Sequence, residues 1–331
     1  MKNALGLLCA LIGAIVALPT AAKMVVGADA EEPAVLLRTD LLGGDGSVRK
    51  VGGNVVSLAR DADVTNAVEV VAGTLRLESP LLLSATYWLD AAAVSTVTAN
   101  GRGGATKWRS MNGKGATFAS QGTAPGYTNT LNGLRVMSFA NDQVAYNRFK
   151  SSTNLSQRTV YLCLAPQEPS WHVGSTTSYY LSAWGWYGKG QGEHSIRFRS
   201  GSGAWEKSRF LSSQRLNGSA PVRFAADGTW QILGAFDEYE EVEGEYCTCF
   251  PVGVGGYETW TTGKNFSGDI AEVIAFDRVL DETACKTVEN HLAEKWGLKD
   301  VVWHKDVSES RRLEAPVARL VVRKDGVFDL N

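Results

Sequence analysis

Apolar residues recur along this chain with two periods, and the change from one to the other marks a strand-to-helix junction. From Asp269 to Phe276, the residues Ile270, Val273, Ile274 and Phe276 crowd into a run too short for an independent helix, which predicts a largely buried strand. Asp277 and Arg278 end that run. Ala284, Val288, Leu292 and Trp296 then follow at four-residue spacing, the apolar stripe of a helix that docks on a core. Asp281 stands where an N-cap carboxylate accepts from the free amides of the first turn, and Gly297 where a glycine ends the last turn.

Toward both ends of the chain the signal is that of strands. Asn54 to Leu58 and Ala67 to Leu77 carry strand-forming residues, and Gly73 sits between Val70-Val71 and Leu75-x-Leu77, where a tight turn predicts a hairpin. Val321-Val322, Asp325-Gly326 and Val327-Phe328-Asp329-Leu330 repeat that order of strand, turn and strand, with Asp-Gly a strong hairpin signal. Two arrangements satisfy the pattern: ordinary hairpins packed on a central sandwich, or copies of a strand repeat, which needs at least three units to bury a core. The incoming strand directly before Asn331 predicts a continuation beyond it.

The middle of the chain alternates glycine-rich turns with short strands, the pattern of an all-β sandwich. Its motifs come in order: Tyr87-Trp88-Leu89-Asp90-Ala91-Ala92, then Lys107-Trp108-Arg109-Ser110-Met111-Asn112-Gly113, then Pro125-Gly126-Tyr127, then Asn132-Gly133 with Val136 and Phe139, and finally Gly268 to Leu298. Together these resemble the laminin G-like jelly-roll domains of the concanavalin A-like lectin/glucanase superfamily, with Ser110 where that family usually carries Asp. The resemblance implies an all-β, two-sheet antiparallel jelly-roll sandwich (concanavalin A-like) over residues 84–298 with one short C-terminal helix. Residues 31–83 and 299–331 are then β-rich flanking segments. The cadence V-V-x-x-G-x-L-x-L around Gly73 is similar to the β-strand repeats of autotransporters and other large surface proteins.

Charge and the chain's start narrow the functional classes. Thirty-three basic against 35 acidic residues, a net charge of -2, leave no basic field for a nucleic acid. Lys2 precedes an uncharged apolar run from Ala4 to Leu18 and small residues at Thr20, Ala21 and Ala22, the layout of a secretory signal within residues 1–30. That run falls short of the ~20 residues a spanning helix needs, so no membrane span is expected once it is removed. The expected location is secreted or at the cell surface. Cys163, Cys247, Cys249 and Cys285 remain in the exported chain, as disulfides or as free buried thiols, with three pairings open.

Candidate chemistry is sparse. A strand over residues 179–187 puts Tyr180, Ser182, Trp184 and Trp186 on one face by alternation, an aromatic row on which a sugar ring stacks, with Arg197 and Arg199 as hydrogen-bond donors from a neighbouring strand. The competing reading packs Trp184 and Trp186 under a loop. The jelly-roll glucanases of the resembled superfamily carry carboxylates at alternate positions of one strand, and Glu241-Val242-Glu243-Gly244-Glu245 offers three, with Glu in place of the central Asp. The same acidic run from Asp237 to Glu245 reads as a solvated hairpin tip or as a Ca2+ site. His172, His194, His291 and His304 lie at no zinc-ligand spacing, and His291 reads as a surface histidine of the helix. The combined expectation is a non-catalytic carbohydrate-binding or adhesion module whose partner is a glycan or extracellular matrix polysaccharide. The alternatives are a structural spacer of a larger surface protein and a jelly-roll glycoside hydrolase.

Overall fold

A computed structural model describes residues 24–26, 48–52, 55–59, 67–112, 114, 116–140, 147–168, 180–188, 192–199, 204–207, 213–219, 226–237, 249–256, 266–307 and 319–329. The chain divides into two compact units, one holding residues 1–84 and 309–331, the other most of residues 85–308.

The first unit is a sheet of parallel strands. Met24–Val26 (β1), Val48–Lys50 (β2), Val55–Ala59 (β3), Ala67–Glu78 (β4) and Arg319–Asp329 (β23) pair in the order β1-β2-β4-β23, with β3 also on β4. Every pairing is parallel. Gly73 and Asp325-Gly326 therefore make no hairpins: β4 and β23 run straight through them, and Gly326 stands opposite Gly73. Gly73 serves as a corner instead. Gly73 takes φ 69° and Gly52, between β2 and β3, takes φ 74°, a left-handed backbone that glycine adopts without steric penalty. β4 is thus a bent rung on which β2, β3 and β23 pair in parallel. Val48, Val68 and Leu320 form one ladder across the rungs and Lys50, Val70 and Val322 another. Lys50 is fully buried and donates to the carbonyls of Val51 and Gly52, both at 2.7 Å, and of Ala72 at 3.0 Å. Its ammonium satisfies the acceptors that the corners turn away from the ladder.

The second unit is an all-β sandwich. Tyr87–Asp90 (β5), Met137–Phe139 (β11), Thr159–Pro166 (β14), Ser213–Leu216 (β18), Gln231–Phe236 (β19) and Gly268–Phe276 (β22) make a six-stranded sheet in the order β11-β22-β14-β19-β18, with β5 also on β22. Val97–Ala99 (β6), Ala105–Arg109 (β7), Thr117–Gly122 (β8), Asn147–Ser151 (β12), Tyr180–Gly188 (β15), Gly192–Arg199 (β16), Ala204–Lys207 (β17) and Gly253–Val254 (β21) make an eight-stranded one, ordered β17-β16-β15-β21-β12-β8-β7-β6. Two short ladders, Thr130–Leu131 (β9) with Leu134–Arg135 (β10) and Leu155–Ser156 (β13) with Cys249–Phe250 (β20), complete it. The pairings within both large sheets are antiparallel. Alternate residues turn inward and meet: Tyr87, Leu89, Leu162, Leu233 and Val273 of one sheet share a buried core with Trp108, Phe118, Phe149, Ile196 and Val254 of the other.

The sandwich needs a third layer on one side because β22 is buried on both faces. Glu282–Trp296 (α1) supplies it. Asp281 accepts from the Ala284 amide at 2.8 Å, and Gly297 ends the helix with φ 72°. Cys285, Val288, Leu292 and Trp296 are its buried apolar stripe, Cys285 taking the place expected for Ala284.

Candidate functional site

Glu272 interrupts the apolar run of β22. Its register partners are Asp90 on β5 and Cys163 on β14, and none of the three is accessible. A buried carboxylate needs partners, and α1 brings them. Trp88 and Trp296 donate their indole N–H groups to opposite oxygens of Glu272, at 2.5 and 2.7 Å. Lys295 Nζ lies 2.8 Å from Glu272 and 2.7 Å from Asp90, and His291 Nε2 lies 3.0 Å from Glu272. Burial pushes the Glu272 carboxyl up, and Lys295 with His291 outweighs it, holding the group well below the ordinary carboxylate range. Burial likewise works against the Lys295 ammonium, which Asp90 and Glu272 stabilise to a net upward shift.

A parallel cluster forms one turn earlier on α1. Glu289 is fully buried and receives Arg215 Nε at 2.8 Å, the Tyr161 hydroxyl at 3.2 Å and His304 Nε2 at 2.6 Å. Arg215 also reaches Glu282 in the helix's first turn. Tyr161 lies flat across Gly234, where a Cβ would stand 2.7 Å from its ring. Burial first, then Glu289, raises the Tyr161 hydroxyl well above its usual range.

In both clusters the carboxylates are neutralised by their own neighbours and withdrawn from solvent. This arrangement fastens a helix to a sheet; it offers no open acid or nucleophile to a substrate. Among the described residues no group of histidines, cysteines and carboxylates is placed to hold a metal. His291 is therefore not the surface histidine its sequence position suggests: it is largely buried against Glu272 because the helix face it occupies is the docked one. Glu272 and Glu289 went unread as a pair of anchors. The available signal was a glutamate inside an apolar strand, followed by His291 and Lys295 four residues apart on a helix.

The eight-stranded sheet has a second face, opposite the one that meets the core. Its register rows sort residues between the faces. Trp108 and Phe118 pair on the core side, and Phe149, Val254 and Ile196 lie along another core-side row. The row between runs Lys107, Ala119, Lys150, Gly253, Gly185, Ser195 on the opposite side. Arg109 falls on that same side by alternation, as does Arg148, which is buried; in the backbone register Arg197 stands opposite Ser182 and Arg199 opposite Tyr180.

Of the residues predicted to bind sugar, the structure describes the backbone of Tyr180, Trp184, Trp186, Arg197 and Arg199; their side chains lie outside the described residues. A register shift between Ser182 and Trp184 interrupts the alternation, so Trp184 stands opposite Ile196 and Trp186 opposite His194. The acidic triplet Glu241, Glu243 and Glu245, and with them Cys247, also lie outside the described residues. Cys163 and Cys285 are free, buried thiols.

No family model and no curated protein matches this chain. Among solved structures it is similar to the Trypanosoma rangeli sialidase in complex with 2,3-difluorosialic acid (covalent intermediate), at 11% identity and a TM-score of 0.36 over 64% of this chain. It is similar also to that sialidase in complex with the inhibitor DANA, at 11% identity and a TM-score of 0.33 over 61%. The chain spans about a third of the length of these sialidase chains, 33% and 32%.

Proposed function

We propose that the sandwich is a laminin G-like jelly roll and that the chain is exported, as a non-catalytic carbohydrate-binding or adhesion module acting in secreted form or at the cell surface. The observation that carries this reading is the face of the eight-stranded sheet turned away from the core. It gathers Lys107, Arg109 and Lys150 with the positions of Arg197 and Arg199 in a chain whose net charge is only -2. Ammonium and guanidinium groups donate to hydroxyls and carboxylates, and the adjacent Gly185 and Gly253 leave two neighbouring positions without side chains, where a ring can approach the backbone. The ligand class is a glycan or matrix polysaccharide bearing acidic groups, with Tyr180 beside Arg199 as the stacking position.

A glycan-array screen of residues 31–331, with and without Ca2+, tests this reading through two double variants. Saturable binding that is lost in Arg197→Ala, Arg199→Ala and retained in Trp184→Ala, Trp186→Ala is the expected result. Loss in the tryptophan pair alone places the ligand on the other register rows. A dependence on Ca2+ points to the acidic run Asp237–Glu245. Absence of binding overturns the reading.

A structural spacer role is the second reading, and it too has an observation behind it. Residues 85–308 are inserted between β4 and β23, two strands that pair in parallel as neighbours with a register shift between Val322 and Asp325. The sandwich is thus an insertion into a stack of parallel rungs. A spacer of this kind predicts no saturable ligand on the array.

A further inference from the structure

The anchor at Glu272 differs chemically from the one at Glu289. Glu289 is met by the Arg215 guanidinium, which stays protonated and is no nucleophile, whereas Glu272 is met by the Lys295 amine, which becomes one on losing a proton. Lys295 is also shared between two carboxylates. Its Nζ lies 2.7 Å from Oδ2 of Asp90 and 2.8 Å from Oε2 of Glu272, so the carboxyl carbon of Asp90 stands one bond beyond a hydrogen-bond contact. The three side chains come from α1, β5 and β22, and water is kept from them: Glu272 is 0% exposed, Asp90 1% and Lys295 11%. Trp88 and Trp296, both fully buried, flank the group, with Lys295 Nζ 5.2 Å from the centre of the Trp296 ring. The other oxygen of Asp90, Oδ1, accepts from the Ala92 amide at 2.9 Å. Burial is the largest influence on Glu272 and on Lys295, and in each it favours the uncharged form against the attraction of the pair. Charges held in so dry a place are costly, and a neutral bond in place of an ion pair removes that cost.

We propose that Lys295 and Asp90 condense to an intramolecular amide, an isopeptide bond, with Glu272 carrying the proton between them. The hydrogen-bonded pair first exchanges a proton, Nζ to Oδ2, which leaves an amine and a carboxylic acid. The amine lone pair then attacks Cγ of Asp90, and the displaced electron pair settles on Oδ1, where the Ala92 N–H already points. Glu272 takes a proton from the nitrogen and returns it to Oδ2; the Cγ–Oδ2 bond breaks, and Oδ2 leaves as water with both protons. One C–N bond is formed, one C–O bond is broken, one water is released and the Glu272 carboxylate is restored, so the step needs no oxidant and no cofactor. Packing of α1 on β5 and β22 holds the reacting groups together before reaction, which supplies the effective concentration that two free side chains lack. Glu272 touches the reacting nitrogen and is the catalytic residue of this step. Trp88, Trp296 and His291 position it, and it keeps all three contacts once the bond has closed. The bond draws residues 90–295 into one covalent loop that takes in nearly all of the sandwich unit, and long loops gain most from closure. This inference is independent of the glycan-binding reading, which concerns the opposite sheet.

Intact mass spectrometry of the full chain reads the bond directly. The folded protein is held at neutral pH until its mass is constant, then denatured and reduced, and its mass is compared with that of the sequence from its measured first residue. The expected result is a mass lower by one water, together with a branched peptide after proteolysis that joins the segment of Asp90 to the segment of Lys295. The same chain kept in urea from the start is expected to retain its full mass, because the triad exists only in the fold. Lys295→Arg, which keeps the positive charge, and Glu272→Gln are expected to retain the full mass as well, with circular dichroism reporting whether each is folded. A full mass in the unmodified folded protein overturns the proposal, and that measurement decides whether or not any variant folds. A branch at Glu272 in place of Asp90, or loss of water from Lys295→Arg, also overturns it. Loss of water from Glu272→Gln at an unchanged rate overturns the role given to Glu272.

Discussion

Trp296 donates its indole N–H to Glu272 at 2.7 Å, and both side chains are completely buried. One bond thus joins the last turn of α1 to the middle of β22 across a layer boundary. The ring fills space among core side chains while its nitrogen satisfies a buried carboxylate, so truncation removes packing and a hydrogen bond together. Trp296→Ala should destabilise the sandwich unit by about 3 to 5 kcal/mol. Trp296→Phe retains most of the volume and should lose about 1 to 3 kcal/mol, the cost of leaving Glu272 one donor short. Guanidinium unfolding followed by tryptophan fluorescence separates the two, and an effect of Trp296→Ala below about 0.5 kcal/mol would mean the helix does not dock through this residue.

The same carboxylate makes the sandwich sensitive to acid. Against the upward push of burial, Lys295 and His291 hold Glu272 well below its ordinary value of 4.5. In the unfolded chain the group takes up its proton near that ordinary value while the folded protein resists, so the folded state binds fewer protons below it. Stability from this site is complete above about pH 4.5 and falls as the pH drops further. Glu272→Gln should cost about 3 kcal/mol at pH 7, by leaving Lys295 without one of its two carboxylates, and should flatten the acid limb. Urea midpoints for both proteins from pH 7 to pH 3 measure this; parallel acid limbs would show that other carboxylates dominate.

Gly234 has a narrower role. With a Cβ built at this residue, the Tyr161 ring lies 2.7 Å away, and Tyr161 cannot swing aside without giving up its hydrogen bond to Glu289. Gly234→Ala should therefore cost about 1 to 3 kcal/mol, as overpacking does. Gly234→Ala combined with Tyr161→Phe should show coupling, because the ring without its hydroxyl is free to move. A double-mutant cycle on thermal unfolding reads this directly, and strict additivity would mean that the ring is not held by Glu289.

How far these features are legible in the sequence depends on whether their cause is local. The helix was, because Asp281, the four-residue stripe and Gly297 act within a few residues of one another, and only the substitution of Cys285 for Ala284 at the start of the stripe differs. The sandwich was legible through alternating strands and turn glycines. The rungs were not. A glycine at positive φ between two valine-rich segments satisfies a hairpin and a bent strand equally, and what decides between them at Gly73 is Gly326, more than two hundred residues away in the chain. Along β15 the register shift between Ser182 and Trp184 depends on the partner strand β16, and alternation along a single strand carries no sign of it. At Glu272 and Glu289 the sequence showed the charges without the distances that turn them into anchors.

Lys50 gives the parallel unit a pH dependence of the opposite kind to a surface lysine. Burial pushes its ammonium down from 10.5 to about 8. Between those two values the unfolded chain holds the proton and the folded unit releases it. The unfolded state then binds more protons, so stability rises with pH from about 8 to 10.5 and is lower below that window. The gain is no more than about 3 kcal/mol, the ceiling set by the size of the shift. Hydrogen exchange of residues 67–78, corrected for the intrinsic pH dependence of amide exchange, reports on the unit by itself. Protection should increase across the window in the unmodified protein and stay level in Lys50→Met. A Lys50→Met protein with the same rise would show that the titrating group lies elsewhere, and the carbonyls at the Gly52 and Gly73 corners would then be held without help from a charge.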